Sequence, residues 1–116
     1  VYRTKRSGHV TSKMRFQSSQ ILAYLADELW LRMACNSNDR MVELAAGLAE
    51  LPVEFINRPD VNMLFVRMPS AAIDRLEQAG LMFYRMSADT IRLVTSWQTT
   101  EDHINQALHH VRSALT

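Results

Sequence analysis

Between Asp89 and Trp97 the chain alternates with period two: Ile91, Leu93 and Thr95 fall on one side of an extended strand, and Arg92, Val94 and Ser96 on the other. Such a strand requires a sheet with one buried face and one face of different character. It also sets a guanidinium in the middle of the second face. Burying that group unpaired would be strongly unfavourable, so Arg92 must meet an anion or water. It is therefore a candidate receptor for a carboxylate or a phosphate.

The other elements can be arranged around this strand. From Thr11 to about Leu51 the pattern is helical, with Leu22, Leu25, Leu29 and Met33 on one stripe and Met41, Leu44, Leu48 and Leu51 on the next. Asn36-Ser37-Asn38-Asp39 are poor mid-helix residues and good caps, which predicts two helices, or one kinked helix, breaking there; Pro52 ends the run. Val53 to Asn57 and Val61 to Met68 read as a hairpin turned by Arg58-Pro59-Asp60. Ser70 is the expected N-cap of a short helix that points Ile73 and Leu76 inward and stops before Gly80. Met82 to Met86 and Thr90 to Ser96 form two more strands around Ser87-Ala88-Asp89. Thr99-x-x-Asp102 reads as a capping-box variant opening a last helix with Ile104, Leu108, Val111 and Leu115 on one stripe.

The order helix, helix, strand, strand, helix, strand, strand, helix predicts an α+β two-layer sandwich, a small and mostly antiparallel sheet with helices on one face. The first two helices and the last are expected to cover that face. Arg92, Val94 and Asn62 would then lie on a second face that nothing in this chain covers, a surface for docking or, in a severed domain, for self-association.

With 116 residues the chain is one domain by length, and its apolar share of 47% with three Gly and three Pro is that of a globular protein. The net charge of +1 hides an asymmetry. Arg3, Lys5, Arg6, Lys13 and Arg15 give residues 1–15 five positive charges and no acid, and the remainder carries eight basic and twelve acidic residues. A basic arm on a mildly acidic body fits a phosphate-bearing cofactor, an acidic neighbouring subunit or nucleic acid. An α+β module binding RNA or DNA would use this arm with Tyr2 and Phe16, but the aromatics are sparse and the body is acidic, which disfavours nucleic acid.

Cys35 stands alone, which argues against a disulfide framework and for a reducing, cytoplasmic setting, with the thiol packed inside. No apolar run is long enough for a membrane span. His109 and His110 are adjacent on a helix and His103 lies about two turns away, a poor arrangement for a metal, so none is expected. Met33, Met41 and Met63 read as core filler, and Trp97 as a packing anchor under the last helix. The start at Val1-Tyr2 suggests a piece of a longer polypeptide.

Three stretches, KRSGHVTSKMRF from Lys5 to Phe16, NMLFV from Asn62 to Val66 and IRLVTSW from Ile91 to Trp97, together resemble the C-terminal portion of low-specificity L-threonine aldolases. These are enzymes of the aspartate-aminotransferase-like fold that use pyridoxal 5'-phosphate (PLP), in the β-eliminating lyase group. The resemblance runs along essentially the whole chain. It implies that residues 1–116 are a single small C-terminal domain, entered through a basic arm at 1–15, with the large cofactor-binding domain missing. It also implies that the complete protein is a homo-oligomer cleaving L-threonine or L-allo-threonine to glycine and acetaldehyde. Arg92 matches a family arginine that clamps the substrate carboxylate, and Arg15 and Lys5 match basic residues near the cofactor phosphate. No lysine here matches the one that carries the cofactor, so the fragment alone is expected to be inactive and to bind no PLP. The small domain of another PLP-dependent amino-acid lyase or transferase would share these features.

Overall fold

The computed structural model describes residues 2–6 and 14–116, with residues 4 and 5 described by their backbone alone. The chain divides into two compact units, Val1–Arg32 and Met33–Thr116. The first unit contains helix α1 (Tyr2–Arg6), helix α2 (Arg15–Leu25), a 3-10 turn (Ala26–Glu28) and the start of helix α3 (Leu29–Leu48). None of the residues of α2 is buried, and Phe16, Ile21, Leu22 and Leu25 are exposed.

The helical run breaks earlier than the sequence led us to expect. Asp27 and Glu28 take φ of 50° and 56°, the left-handed region that side chains other than glycine enter at a cost, and the Arg32 guanidinium donates to the Asp27 carbonyl. Asn36-Ser37-Asn38-Asp39, by contrast, lie inside the continuous α3. Ser37 Oγ donates to the Met33 carbonyl one turn back (2.8 Å), so its hydroxyl is satisfied without leaving the helix. Beyond it Met41, Leu44, Ala45 and Leu48 form a buried stripe at helical spacing.

The second unit is built on a four-stranded antiparallel sheet of order β1-β2-β4-β3, made of β1 (Glu54–Phe55), β2 (Met63–Arg67), β3 (Tyr84–Arg85) and β4 (Thr90–Val94). The predicted α+β class and the two strand pairs are as read from the sequence, with shorter strands. Helices α4 (Ser70–Gln78) and α5 (Glu101–Leu115) pack with the second half of α3 on one face. The core joins Met41, Leu44 and Leu48 of α3 to Leu64 and Val66 of β2, Ile91 and Leu93 of β4, Ile73 and Leu76 of α4, and Ile104 and Val111 of α5. The helices of this unit that cover the sheet thus include α4, which the expectation did not place there and which presents Ala72, Ile73 and Leu76 inward.

Two caps shift by one residue. Pro69 occupies the cap position and Ser70 begins α4, because proline's fixed φ suits the extended residue before a helix. At α5 the box is Thr100 with His103: Thr100 Oγ1 accepts from the His103 backbone, and His103 Nδ1 accepts from the Thr100 backbone. Thr99 instead uses its Oγ1 to accept from the Ser96 amide at 2.9 Å. Gly80, at φ 80°, closes α4 as expected.

Candidate functional site

Strand alternation sorts the sheet into two faces. Leu64, Val66, Ile91, Leu93 and Thr95 point into the core, and the opposite face carries three rows set by the register. Glu54, Arg67 and Thr90 form the first row, Phe65, Arg92 and Tyr84 the second, and Met63 and Val94 the third.

Arg92 sits at the centre of this open face. Its Cζ lies 4.2 Å from the centroid of the Tyr84 ring, its cross-strand neighbour on β3. Among the described residues no carboxylate is within ion-pair distance of Arg92, and its Nε is buried without a hydrogen-bond acceptor. The guanidinium borders a cleft of about 400 Å³ lined by Glu77, Leu81, Met82, Phe83, Tyr84, Arg92 and Val94. Glu77 is itself engaged with Arg85 at 3.3 Å.

Other arginines of the sheet are satisfied within the chain. Arg67 pairs with Glu54 (2.9 Å) and with Asp89 (3.3 Å) on the same face as Arg92. Arg85 pairs with Asp74 (2.7 Å) and Glu77; the hydrogen bond it donates to Asp74 raises its pKa above the ordinary arginine value. At the β3–β4 turn, hydrogen bonds from the Ser87 and Thr90 hydroxyls, with the nearby Arg67 charge, hold the Asp89 carboxyl below the usual carboxylate range.

The sequence-predicted residues fare differently. Arg15 is exposed at the first position of α2, in the first unit, and the Lys5 side chain and Lys13 lie outside the described residues. Asn62 is not part of the open face: its amide donates to the Thr95 carbonyl (2.8 Å) at the end of β4. Trp97 is 55% exposed, so it is not a buried anchor; the loop is held instead by Asn36 Nδ2 donating to the Trp97 carbonyl (3.0 Å). Cys35 is exposed rather than packed, because it lies off the buried stripe of α3. Met41 is buried as core, and Met33 and Met63 are half-buried.

Sequence reasoning did not single out Tyr84. The signal was present: the three-residue connection Ser87-Ala88-Asp89 leaves Met86 opposite Thr90, and counting two residues away from the turn on each strand sets Tyr84 opposite Arg92.

The donor set of this cleft suits a carboxylate, and among the described residues that line it there is no amine with which an aldehyde cofactor such as PLP condenses. Both lysines of the chain, Lys5 and Lys13, fall outside what the structure describes at side-chain level. Among the described residues no cluster of His, Cys, Asp or Glu is arranged to hold a metal, and no helix is long and apolar enough to cross a membrane.

The four-stranded antiparallel sheet with helices on one face recurs within fold-type I PLP enzymes. Among them, a threonine aldolase of Leishmania major superposes with a TM-score of 0.69 at 22% identity, over 81% of this chain and 29% of that one. A mutant of C-DES, with glycine covalently linked to its PLP cofactor, superposes with a TM-score of 0.56 at 26% identity, over 66% of this chain and 22% of that one. In sequence the chain is similar to the low specificity L-threonine aldolase of a Pseudomonas species, 31% identical over 117 residues and 99% of the chain. The resemblance drawn from the three sequence stretches is thus found along the whole chain, which spans about a third (34%) of that relative's length. No family model matches it.

Proposed function

We propose that this chain is the small C-terminal domain, residues 1–116, of a PLP-dependent carbon–carbon lyase of the threonine aldolase type, and that Arg92 holds the α-carboxylate of its amino-acid substrate. The observation that carries the proposal is Arg92 itself, bordering a cleft with no carboxylate partner among the described residues and a buried Nε lacking an acceptor. The match to a stretch of a threonine aldolase supports the same reading.

A planar guanidinium offers a carboxylate two parallel charge-assisted bonds, a geometry that a lysine cannot supply. Fixing the carboxylate fixes the rotation about its bond to Cα, so the bond from Cα to Cβ is presented in one orientation for cleavage. The apolar flank of Leu81, Phe83 and Val94 lowers the local polarity and strengthens the pairing. The PLP of the complete enzyme supplies the electron sink for the broken bond. Arg15 and Lys5 would serve its phosphate, contributed to a neighbouring subunit of a homo-oligomer. The cytoplasm is the compartment that a lone cysteine favours.

The test joins this chain to the upstream domain. The joined protein should convert L-threonine to glycine and acetaldehyde, and this chain alone should neither do so nor bind PLP. Arg92→Ala in the joined protein should raise KM steeply, and Arg92→Lys should recover only part of the loss. An unaltered KM in Arg92→Ala refutes the clamp.

A further inference from the structure

We infer that Tyr84 is a positioning residue for the carboxylate clamp: its ring lies against the Arg92 guanidinium and holds the fork ready for the substrate. The inference rests on the clamp reading above and extends it to a residue that acts through Arg92. Tyr84 and Arg92 are direct partners across the antiparallel β3–β4 ladder, so their side chains leave the sheet on the same face. The ring centroid is 4.2 Å from Arg92 Cζ, close enough for a strong cation–π contact.

Packing does not account for this ring. Tyr84 is 62% exposed and lies outside the hydrophobic core, and no hydrogen bond ties its hydroxyl among the described residues. What it covers is a cation. A free arginine side chain is one of the most flexible, and a carboxylate arriving at it must first immobilise the fork. Tyr84 on β3 and the cross-strand partner Phe65 on β2 flank Arg92 and restrict that motion in advance. A ring against the guanidinium leaves the N–H edges for in-plane bonds to a carboxylate, and an aromatic face attracts the cation without neutralising it, as a glutamate in its place would. The buried, acceptor-free Nε is consistent with an edge held for a ligand.

The expected signature is a loss of substrate affinity that spares turnover. In the complete joined polypeptide assayed with L-threonine, Tyr84→Leu should raise KM about five-fold and change kcat by less than about two-fold, as loss of one half-exposed cation–π contact would. Tyr84→Phe, which keeps the ring and removes only the hydroxyl, should behave as wild type. In this chain by itself, the Arg92 Nε–H proton should resonate upfield through the ring current in wild type and Tyr84→Phe, and return toward the ordinary arginine position in Tyr84→Leu. A wild-type KM in Tyr84→Leu overturns the inference, as does an equal defect in Tyr84→Leu and Tyr84→Phe. The two readings separate cleanly: a defective Arg92→Ala beside a normal Tyr84→Leu removes only Tyr84, whereas an unaltered Arg92→Ala removes the clamp and Tyr84 together.

Discussion

Arg67 and Arg92 stand on the same face of the same sheet, on neighbouring strands, and their surroundings are opposite. Arg67 is bound by Glu54 and Asp89, both from this chain. Arg92 is flanked by Phe65 and Tyr84 and has no carboxylate partner among the described residues. An arginine on a strand usually ends as Arg67 does, in an exposed ion pair that adds little to stability. The contrast isolates what is unusual about Arg92: its charge is kept available in an apolar and aromatic setting, the arrangement expected of a group whose counter-ion arrives with a ligand.

Substitutions along the strand and the face test this contrast. The largest effect should come from the core side of β4. Ile91→Ala, at a fully buried position next to Arg92, should cost about 2–5 kcal/mol in stability by denaturant unfolding, through lost burial and the cavity left behind. Arg92→Ala should leave the unfolding midpoint near that of wild type and lower kcat/KM of the joined protein about a hundred-fold, the loss of a charge-assisted bidentate partner. If Arg92→Ala unfolds the domain instead, its role is structural and the contrast fails.

Thr95→Val should cost about 1 kcal/mol in stability. It removes the bond from the buried Thr95 Oγ1 to the Ser37 carbonyl (2.7 Å) that ties the end of β4 to α3. Arg67→Ala should cost less than about 1 kcal/mol, the range of exposed ion pairs, and leave kcat/KM unchanged; a substrate defect there would erase the distinction between the two arginines.

The smallest effect should be Asp89→Asn, and it should depend on pH. The folded state lowers the Asp89 pKa through the Ser87 and Thr90 hydrogen bonds and the Arg67 charge. Its contribution is therefore fully present above the ordinary aspartate range and is lost as pH falls through the lower folded-state value. Thermal unfolding of wild type and Asp89→Asn should differ slightly at neutral pH and converge in acid. A gap that widens in acid would contradict the assignment.

Much of the fold was legible because its signals are local. The stripe Ile104, Leu108, Val111 and the pair Ile73, Leu76 announced α5 and α4 through the helical period, and the turn residues around Arg58-Pro59-Asp60 announced the β1–β2 hairpin. The break in the long helical run was misplaced for a physical reason. Asn36 and Ser37 look like cap residues, but their polar groups are satisfied by Met33 one turn back and by Trp97 and Thr95 about sixty residues away, so the helix continues. The true break, at Ala26-Asp27-Glu28, holds neither Gly nor Pro and carried no local sign.

The sequence by itself determined the alternation of β4, and with it the fact that Arg92 faces away from Ile91 and Leu93, because side chains on a strand must point to opposite sides whatever the rest of the chain does. It also set the elements whose apolar periodicity is their own. Only the tertiary structure decided that Arg67 finds carboxylates while Arg92 finds a tyrosine ring, and that α4 packs into the core beside α3 and α5. Those outcomes depend on strand register and on contacts between residues far apart in the chain, which no local propensity encodes.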